Sequence, residues 1–479
     1  MLCLHTAKVG IISFWKKHKH DISNSELFKK IEALPPEERL RAEDRLHVLL
    51  HQEKHTFASR LELFLMLLGP GILVMVADND AGGVITYSQT GSIFGIGFFI
   101  PFMILMLPVA YFVQEMTVRL GAVTHRGHAE MIWKRYGRFW GSFSLADLVV
   151  ANFLTFITEF IGITVGMAIF GIPAFISAVV FVALVISIQL FLRYYSWERV
   201  SLLIAAFNLV FIPLLFFLPN PDWSLVSRSF FTWRVSGGVG SLFIYVLLAN
   251  LGTTIAPWML FFQQSSVVDK GLTKSDIRRG QIDTLIGSSI MVAVAICIII
   301  LTGMTVYGSD TGGTIGVTEI LRIFAAKVGI LPMKLFAAGL VEAGFIAAIA
   351  ISASTSWAVS EAFGWKGSLN LPVRDRKSLK FYIPSFSALI LAAGITLIPG
   401  APLGYLNLTV QVVATIFMPA AMLFLLLLLN DREIMGDHVN RKWQNAVGFG
   451  IIGFLIAMNA LYGLSVALPV VFDHLISMF

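Results

Sequence analysis

Asp78, Asn79 and Asp80 stand consecutively inside an apolar run, with Gly69-Pro70-Gly71 ahead of them and Ala81-Gly82-Gly83 behind. Carboxylates and amide oxygens are hard ligands, and glycines beside them allow a helix to unwind and present its carbonyls. That donor set suits Mg2+, Ca2+ or Mn2+. A second irregular stretch reads Ala249-Asn250-Leu251-Gly252-Thr253-Thr254-Ile255-Ala256-Pro257-Trp258-Met259. Pro257 lacks a backbone N–H and clashes with the preceding turn, so this helix is also expected to break. Other polar groups inside apolar runs are Asp147, Glu159, Glu342, Glu361 and Gln411, each readable either as functional or as packed and neutral. The histidines outside the N-terminal arm, His125, His128, His438 and His474, fall outside the apolar segments, so no imidazole is expected along a path through them.

The elements that must position these residues are membrane-spanning. Of 479 residues, 57% are hydrophobic and 13% charged, against roughly 25% charged in a soluble domain. The mean hydropathy is +0.80. Eleven apolar segments are expected, near 63–96, 97–116, 141–169, 172–192, 199–218, 239–263, 283–307, 331–363, 381–399, 403–429 and 446–471. Two cysteines, Cys3 and Cys297, are too few for a disulfide framework.

Residues 1–62 differ from the rest, holding 11 of the 35 Lys and Arg residues and 6 of the 10 histidines. Ser23 with Glu26 has capping-box spacing, and Pro35-Pro36-Glu37-Glu38 opens a stretch with Leu40, Leu46, Leu49 and Leu50 among charges. Two amphipathic helices in a cytosolic arm are the expectation. The apolar stretch from Val9 to Trp15 is short and its basic cluster follows it, unlike a signal peptide. With the arm inside the cell, thirty basic residues lie in or beside the cytosol and five (Arg228, Arg234, Arg322, Lys327 and Lys334) outside. This is the positive-inside asymmetry, so the net charge of +6 reports orientation and calls for no nucleic-acid partner.

Segments one and six open two consecutive five-helix halves. Paired interruptions at corresponding places point to an inverted-repeat carrier with a midplane site. The domains expected are the arm (1–62), a first repeat (63–218), a second repeat (239–429) and an eleventh helix (446–471).

Residues 63–440 resemble the natural resistance-associated macrophage protein (NRAMP) family of divalent-metal transporters, on five landmarks in order. These are Gly69-Pro70-Gly71, Glu115 to Gly121, Pro221-Asp222-Trp223, Ile351 to Gly364 and Asp431 to Gly436. The resemblance implies an all-α, leucine-transporter-like fold with helices one and six broken at the midplane. It places Asp80, the carbonyls of Ala77 and Thr253, and the Gln411 side chain at the metal, with Gly83 and Ala256 setting the size of the site. Asp78, Asn79, Trp258 and Glu159 become outer or pathway residues. The metal is then the cargo, no cofactor or enzyme activity is implied, and the partners are the ion and the bilayer, with no obligate protein partner.

Departures from the family pattern favour one branch, the NRAMP-related magnesium transporters. The family's Asp-Pro-Gly-Asn reads here Asp80-Ala81-Gly82-Gly83, and its Met-Pro-His reads Ala256-Pro257-Trp258. Ala256 removes a soft thioether that favours transition metals, and small Gly83 and Ala256 suit a partly hydrated Mg2+. Phe156 and Trp258 occupy the positions of the family's proton-relay acid and histidine. The expected function is import of Mg2+ and Mn2+ without proton coupling, in a cell membrane with the N-terminus cytosolic. The alternatives are a proton-coupled Mn2+/Fe2+ symporter and a sodium-coupled organic-solute carrier, whose anionic cargo two acids would repel.

Overall fold

The computed structural model describes residues 69–309, 316–365, 367–370, 376–469 and 472. The arm at 1–62 and its expected amphipathic helices lie outside the described residues, as do the last residues expected of the eleventh segment.

Among the described residues the architecture is all helical, as expected. The first segment is split into α1 (Pro70–Ala77) and α2 (Ala81–Phe94). There follow α3 (Phe99–Thr124), α4 (His128–Ile169), α5 (Ala174–Phe191) and α6 (Tyr194–Ala205). A short α7 (Trp223–Ser229) precedes the sixth segment, which is split into α8 (Ser241–Thr254) and α9 (Pro257–Asp269). Next come α10 (Ile277–Thr305), α11 (Val317–Val328), α12 (Ile330–Ala362), α13 (Arg376–Ile395) and α14 (Leu403–Leu429). The chain closes on α15 (Arg432–Met435) and α16 (Lys442–Ala467). Nine of the described helical segments are long and apolar enough to cross a membrane. The split first segment and the shorter apolar helix Leu379–Ile395 account for the other two expected ones.

Two segments differ from the sequence expectation, each for a local reason. The third segment begins at His128 rather than near 141, because the chain stays helical through a kink where Gly137 takes φ 81°. His128, expected outside the segments, therefore lies within one: it is buried and bonded to Gln264 of the sixth segment at 2.9 Å. The fifth segment leaves α-geometry after Ala205 and continues as 3-10 turns, Ala206–Phe211 and Pro213–Phe217. Pro213 has no N–H to donate to the preceding turn, which favours the tighter winding there.

Packing sorts centre from rim. In the most apolar stretch of the sixth segment 94% of residues are buried inside the protein, against 17% in α16. The outward faces of α5 and α16 show Phe175, Ile176, Phe191, Phe454 and Ile456, as lipid-facing helices do in a chain of this composition. Around the centre, α4 packs along α12, α10 along both halves of the first segment, and α14 along α8. Gly344 permits one close approach: a Cβ there would fall 2.7 Å from the Glu159 carbonyl.

The sequence landmarks are structural joints. Asp283 accepts from the backbone N–H of Gly69 (3.0 Å), Gly71 (2.6 Å) and Ile72 (3.3 Å), tying the start of α1 to α10. Glu115 pairs with Arg119 at 3.1 Å, and Arg119 reaches Asn440 at 2.8 Å. Asp222 caps α7 through Leu225 at 2.9 Å. Trp357 donates to Asp269 at 3.0 Å, and Asp431 pairs with Arg135 at 2.6 Å.

Candidate functional site

Two interruptions expose backbone carbonyls, and each exposure has a chemical cause. In a continuous helix the N–H of Ala81 would bond the carbonyl of Ala77. Here it donates to the Glu159 carboxylate at 2.9 Å, so the Ala77 carbonyl is released. In the sixth segment the residue four beyond Thr253 is Pro257, which has no N–H, so the Thr253 carbonyl loses its helical donor as well. The Ala256 N–H turns to the Met259 sulfur at 3.4 Å instead of back along the helix.

Half-helix ends add their polarity. The C-terminal, partly negative ends of α1 and α8 run into the breaks, where they favour a cation. The N-terminal, partly positive end of α2 is already neutralised: Asp80 is its N-cap and accepts from Gly83 N–H, while Glu159 holds Ala81. The acids of the first break have no basic side chain paired with them among the described residues.

Side chains converge on the same place. Asp78, Asn79, Asp80, Glu159, Thr253, Trp258 and Gln411 are all buried, and so are Ala77, Gly83 and Ala256. A Cβ on Gly83 would lie 2.8 Å from Thr253 Oγ1, 3.1 Å from Asp80 Oδ1 and 3.2 Å from the Asp78 carbonyl. Only a glycine fits there, so the two broken helices approach each other closely at this point. Gln411 on α14 lies against Gly82, so its amide reaches the start of α2. Both carboxylate oxygens of Asp78, Thr253 Oγ1, Gln411 Nε2 and Trp258 Nε1 are buried and without a hydrogen-bond partner. Buried polar atoms are otherwise almost always paired, so this concentration of unpaired ones marks a place prepared for a polar guest. Among the described residues no three His, Cys, Asp or Glu side chains form a cluster able to grip a metal alone. Carbonyl, hydroxyl and amide oxygens around few carboxylates fit an ion that keeps part of its water and must leave again.

The sequence-predicted residues do not all serve the same purpose. Asp80, Gly83 and Thr253 meet directly, Gln411 joins through Gly82, and Ala77 contributes through its released carbonyl. Ala256 sits in the unwound stretch of the sixth segment. Glu159, read from sequence as a pathway residue, holds α2 in place. Asn79 turns its amide away, to Asn208 Oδ1 (3.3 Å) and the Met291 carbonyl (3.2 Å). Trp258 stacks edge-on with Phe262, which meets Trp357 and Trp197 in a column of rings running from the break toward Tyr194. Sequence reading missed Met259, whose thioether lies beside the second break, and Asn208; an asparagine within an apolar run was the available signal for the latter.

A family model described as "Natural resistance-associated macrophage protein-like" matches residues 71–465. The chain is 25% identical over 440 residues to the divalent metal cation transporter MntH of Staphylococcus aureus strains Mu3 and Newman, covering 84% of this chain and 91% of each relative. Its fold is similar to that of the Eremococcus coleocola manganese transporter solved with an aromatic bis-isothiourea substituted compound. That likeness has a TM-score of 0.68 at 21% identity, over 86% of this chain and 88% of that one. With both broken segments and their convergent side chains inside the matched stretch, the chain belongs to the natural resistance-associated macrophage protein-like family.

Proposed function

We propose that this protein imports divalent metal ions, Mg2+ and with it Mn2+, by alternating access, driven by gradient and membrane potential without obligatory proton cotransport. It does so from a cell membrane, with its N-terminus in the cytosol. The observation carrying this reading is the convergence of Asp80, Thr253 and the Asp78 carbonyl around Gly83, in a break where both carboxylate oxygens of Asp78 are buried and unpaired. Hard oxygen donors of this kind suit Mg2+ better than a soft transition metal. Ala256 offers no soft ligand, and the thioether of Met259 accepts from a backbone N–H. At the family's proton-relay positions stand Phe156 and Trp258, both buried. The relatives named above are described as transporters of divalent metal and of manganese, which supports the ion class and leaves the preference within it to the site's chemistry.

Uptake into liposomes holding the purified chain tests the reading. Mg2+ is expected to enter and to compete with Mn2+, with no acidification of the lumen. Entry of Mn2+ accompanied by protons, with Mg2+ neither moving nor competing, would overturn it in favour of the proton-coupled symporter.

A further inference from the structure

The unwound stretch of the first segment frees more carbonyls than the site uses, and one of them is withdrawn. Gly83 N–H, which a continuous helix would send to Asn79, goes to the Asp80 carboxylate instead. The Asn79 carbonyl is then taken by Asn208 Nδ2 at 3.2 Å, from the 3-10 turn of the fifth segment. In return, Asn79 Nδ2 donates to Asn208 Oδ1 at 3.3 Å. Asn208 Nδ2 also donates to Glu342 Oε2, on α12, at 3.4 Å. Both amide groups have only two N–H donors, and all four are spent: on Met291, Asn208, Asn79 and Glu342.

The direction of the Asn208 amide is what matters. Turned over, its oxygen would face the Asn79 carbonyl and its donors would face Asn79's own amide. Glu342 is a pure acceptor when ionised and so selects the observed orientation. The three residues are buried at 0% (Asn79), 0% (Asn208) and 7% (Glu342) exposure, where a wrongly oriented amide meets no water to repair it.

We infer that Asn208, oriented by Glu342, is a positioning residue for the ion site: by holding the carbonyl of Asn79 toward segment five, it directs the flanking Asp78 and Asp80 groups toward Thr253 and Gly83. The inference rests on the reading of the first break as the site of the ion, but on neither Mg2+ nor Mn2+ in particular. It also links the site mechanically to segments five and eight, which otherwise give it no ligand.

The test is uptake by the full chain in liposomes, with Mn2+ and Mg2+ measured separately, for Asn208→Ser, Glu342→Leu and Glu342→Gln. Loss of an outer partner of a metal ligand costs roughly 10- to 100-fold in affinity. Asn208→Ser and Glu342→Leu are therefore expected to raise KM about tenfold or more, with the maximal rate per folded protein much less affected. Glu342→Gln keeps an accepting oxygen and is expected to restore most of the affinity lost in Glu342→Leu. An unchanged KM in Asn208→Ser, or Glu342→Gln as damaging as Glu342→Leu, overturns the inference. Should Glu342→Leu not fold, Asn208→Ser and Glu342→Gln decide between these outcomes. If only Mn2+ is carried, the magnesium reading fails, while the KM pattern for Mn2+ still tests the positioning role.

Discussion

At the residue scale the proposed ion site depends on its small residues. Gly83 lets Asp80 and Thr253 approach each other closely, and Ala256 supplies no side-chain ligand at the second break. Gly83→Asn restores the amide usual at that place in the family, but its Cβ would lie 2.8 Å from Thr253 Oγ1, so the two broken helices must shift to admit it. Mg2+ uptake is expected to fall about tenfold, equivalent to about 1.4 kcal/mol, and more than Mn2+ uptake. Ala256→Met supplies a soft ligand and is expected to shift the Mn2+ to Mg2+ preference upward, again by about tenfold. Competition assays on the purified variants read both effects, and an unchanged ratio in Ala256→Met would remove the softness argument. The identity of these residues was legible in the sequence. The role of Glu159 was not, because a glutamate in an apolar helix looks the same whether it meets a metal or, as here, the N–H of Ala81.

At the scale of elements, two different devices open the two breaks. The first is opened by a side chain, Glu159, that captures a backbone donor across 78 residues of sequence. The second is opened by a missing donor at Pro257, a purely local cause. The proline was therefore readable in advance, while the capture by Glu159 required the third segment to lie beside the first. Pro257 is the first residue of α9, where a proline costs a helix little, and Pro257→Ala restores a donor able to close on the Thr253 carbonyl. Its affinity for the ion is expected to fall, since a carbonyl of the proposed site becomes occupied, with little change in melting temperature in detergent. A variant that binds as tightly as the parent would show that Thr253 serves through its hydroxyl alone. The fifth segment illustrates the reverse case: composition marked it as a span, but its 3-10 winding, which brings Asn208 to the break, follows from Pro213 and from packing together.

At the scale of the whole molecule, the start of α1 at Gly69 is tied to its neighbours by buried polar contacts. Lys270 and Glu198 form an ion pair at 2.8 Å with side chains 1% and 4% exposed, and Tyr194 bonds both Glu198 (3.1 Å) and Ser266 (2.5 Å). A Cβ on Gly69 would lie 2.7 Å from Lys270 Nζ, so the start of α1 rests directly on this pair. Asp283 holds the same point through three backbone bonds, and the aromatic column below Trp258 ends at Tyr194. Breaking a buried pair by removing one partner costs about 3–5 kcal/mol, because the remaining charge is stranded. Lys270→Met is expected to lower thermal stability by that order in a detergent melt. Adding Glu198→Leu to it should recover most of the loss; failure to recover would mean that the two charges do not act as a pair.

The sequence by itself determined the class of molecule: eleven apolar segments, their sided distribution of basic charge, and two interruptions rich in oxygen donors. These are properties of composition and of local backbone chemistry, and a bilayer enforces them because every unpaired polar group there is costly. Which donors meet was decided only by the tertiary structure. Asp80 and Thr253 are 173 positions apart and come together at Gly83 because α2 and α8 pack side by side. Asn208 and Glu342 acquire a purpose only when segments five and eight close on the unwound stretch. Hydrogen bonds of 3 Å between residues separated by more than a hundred positions leave no periodic trace in a single chain, since any donor and acceptor of the right type would read alike.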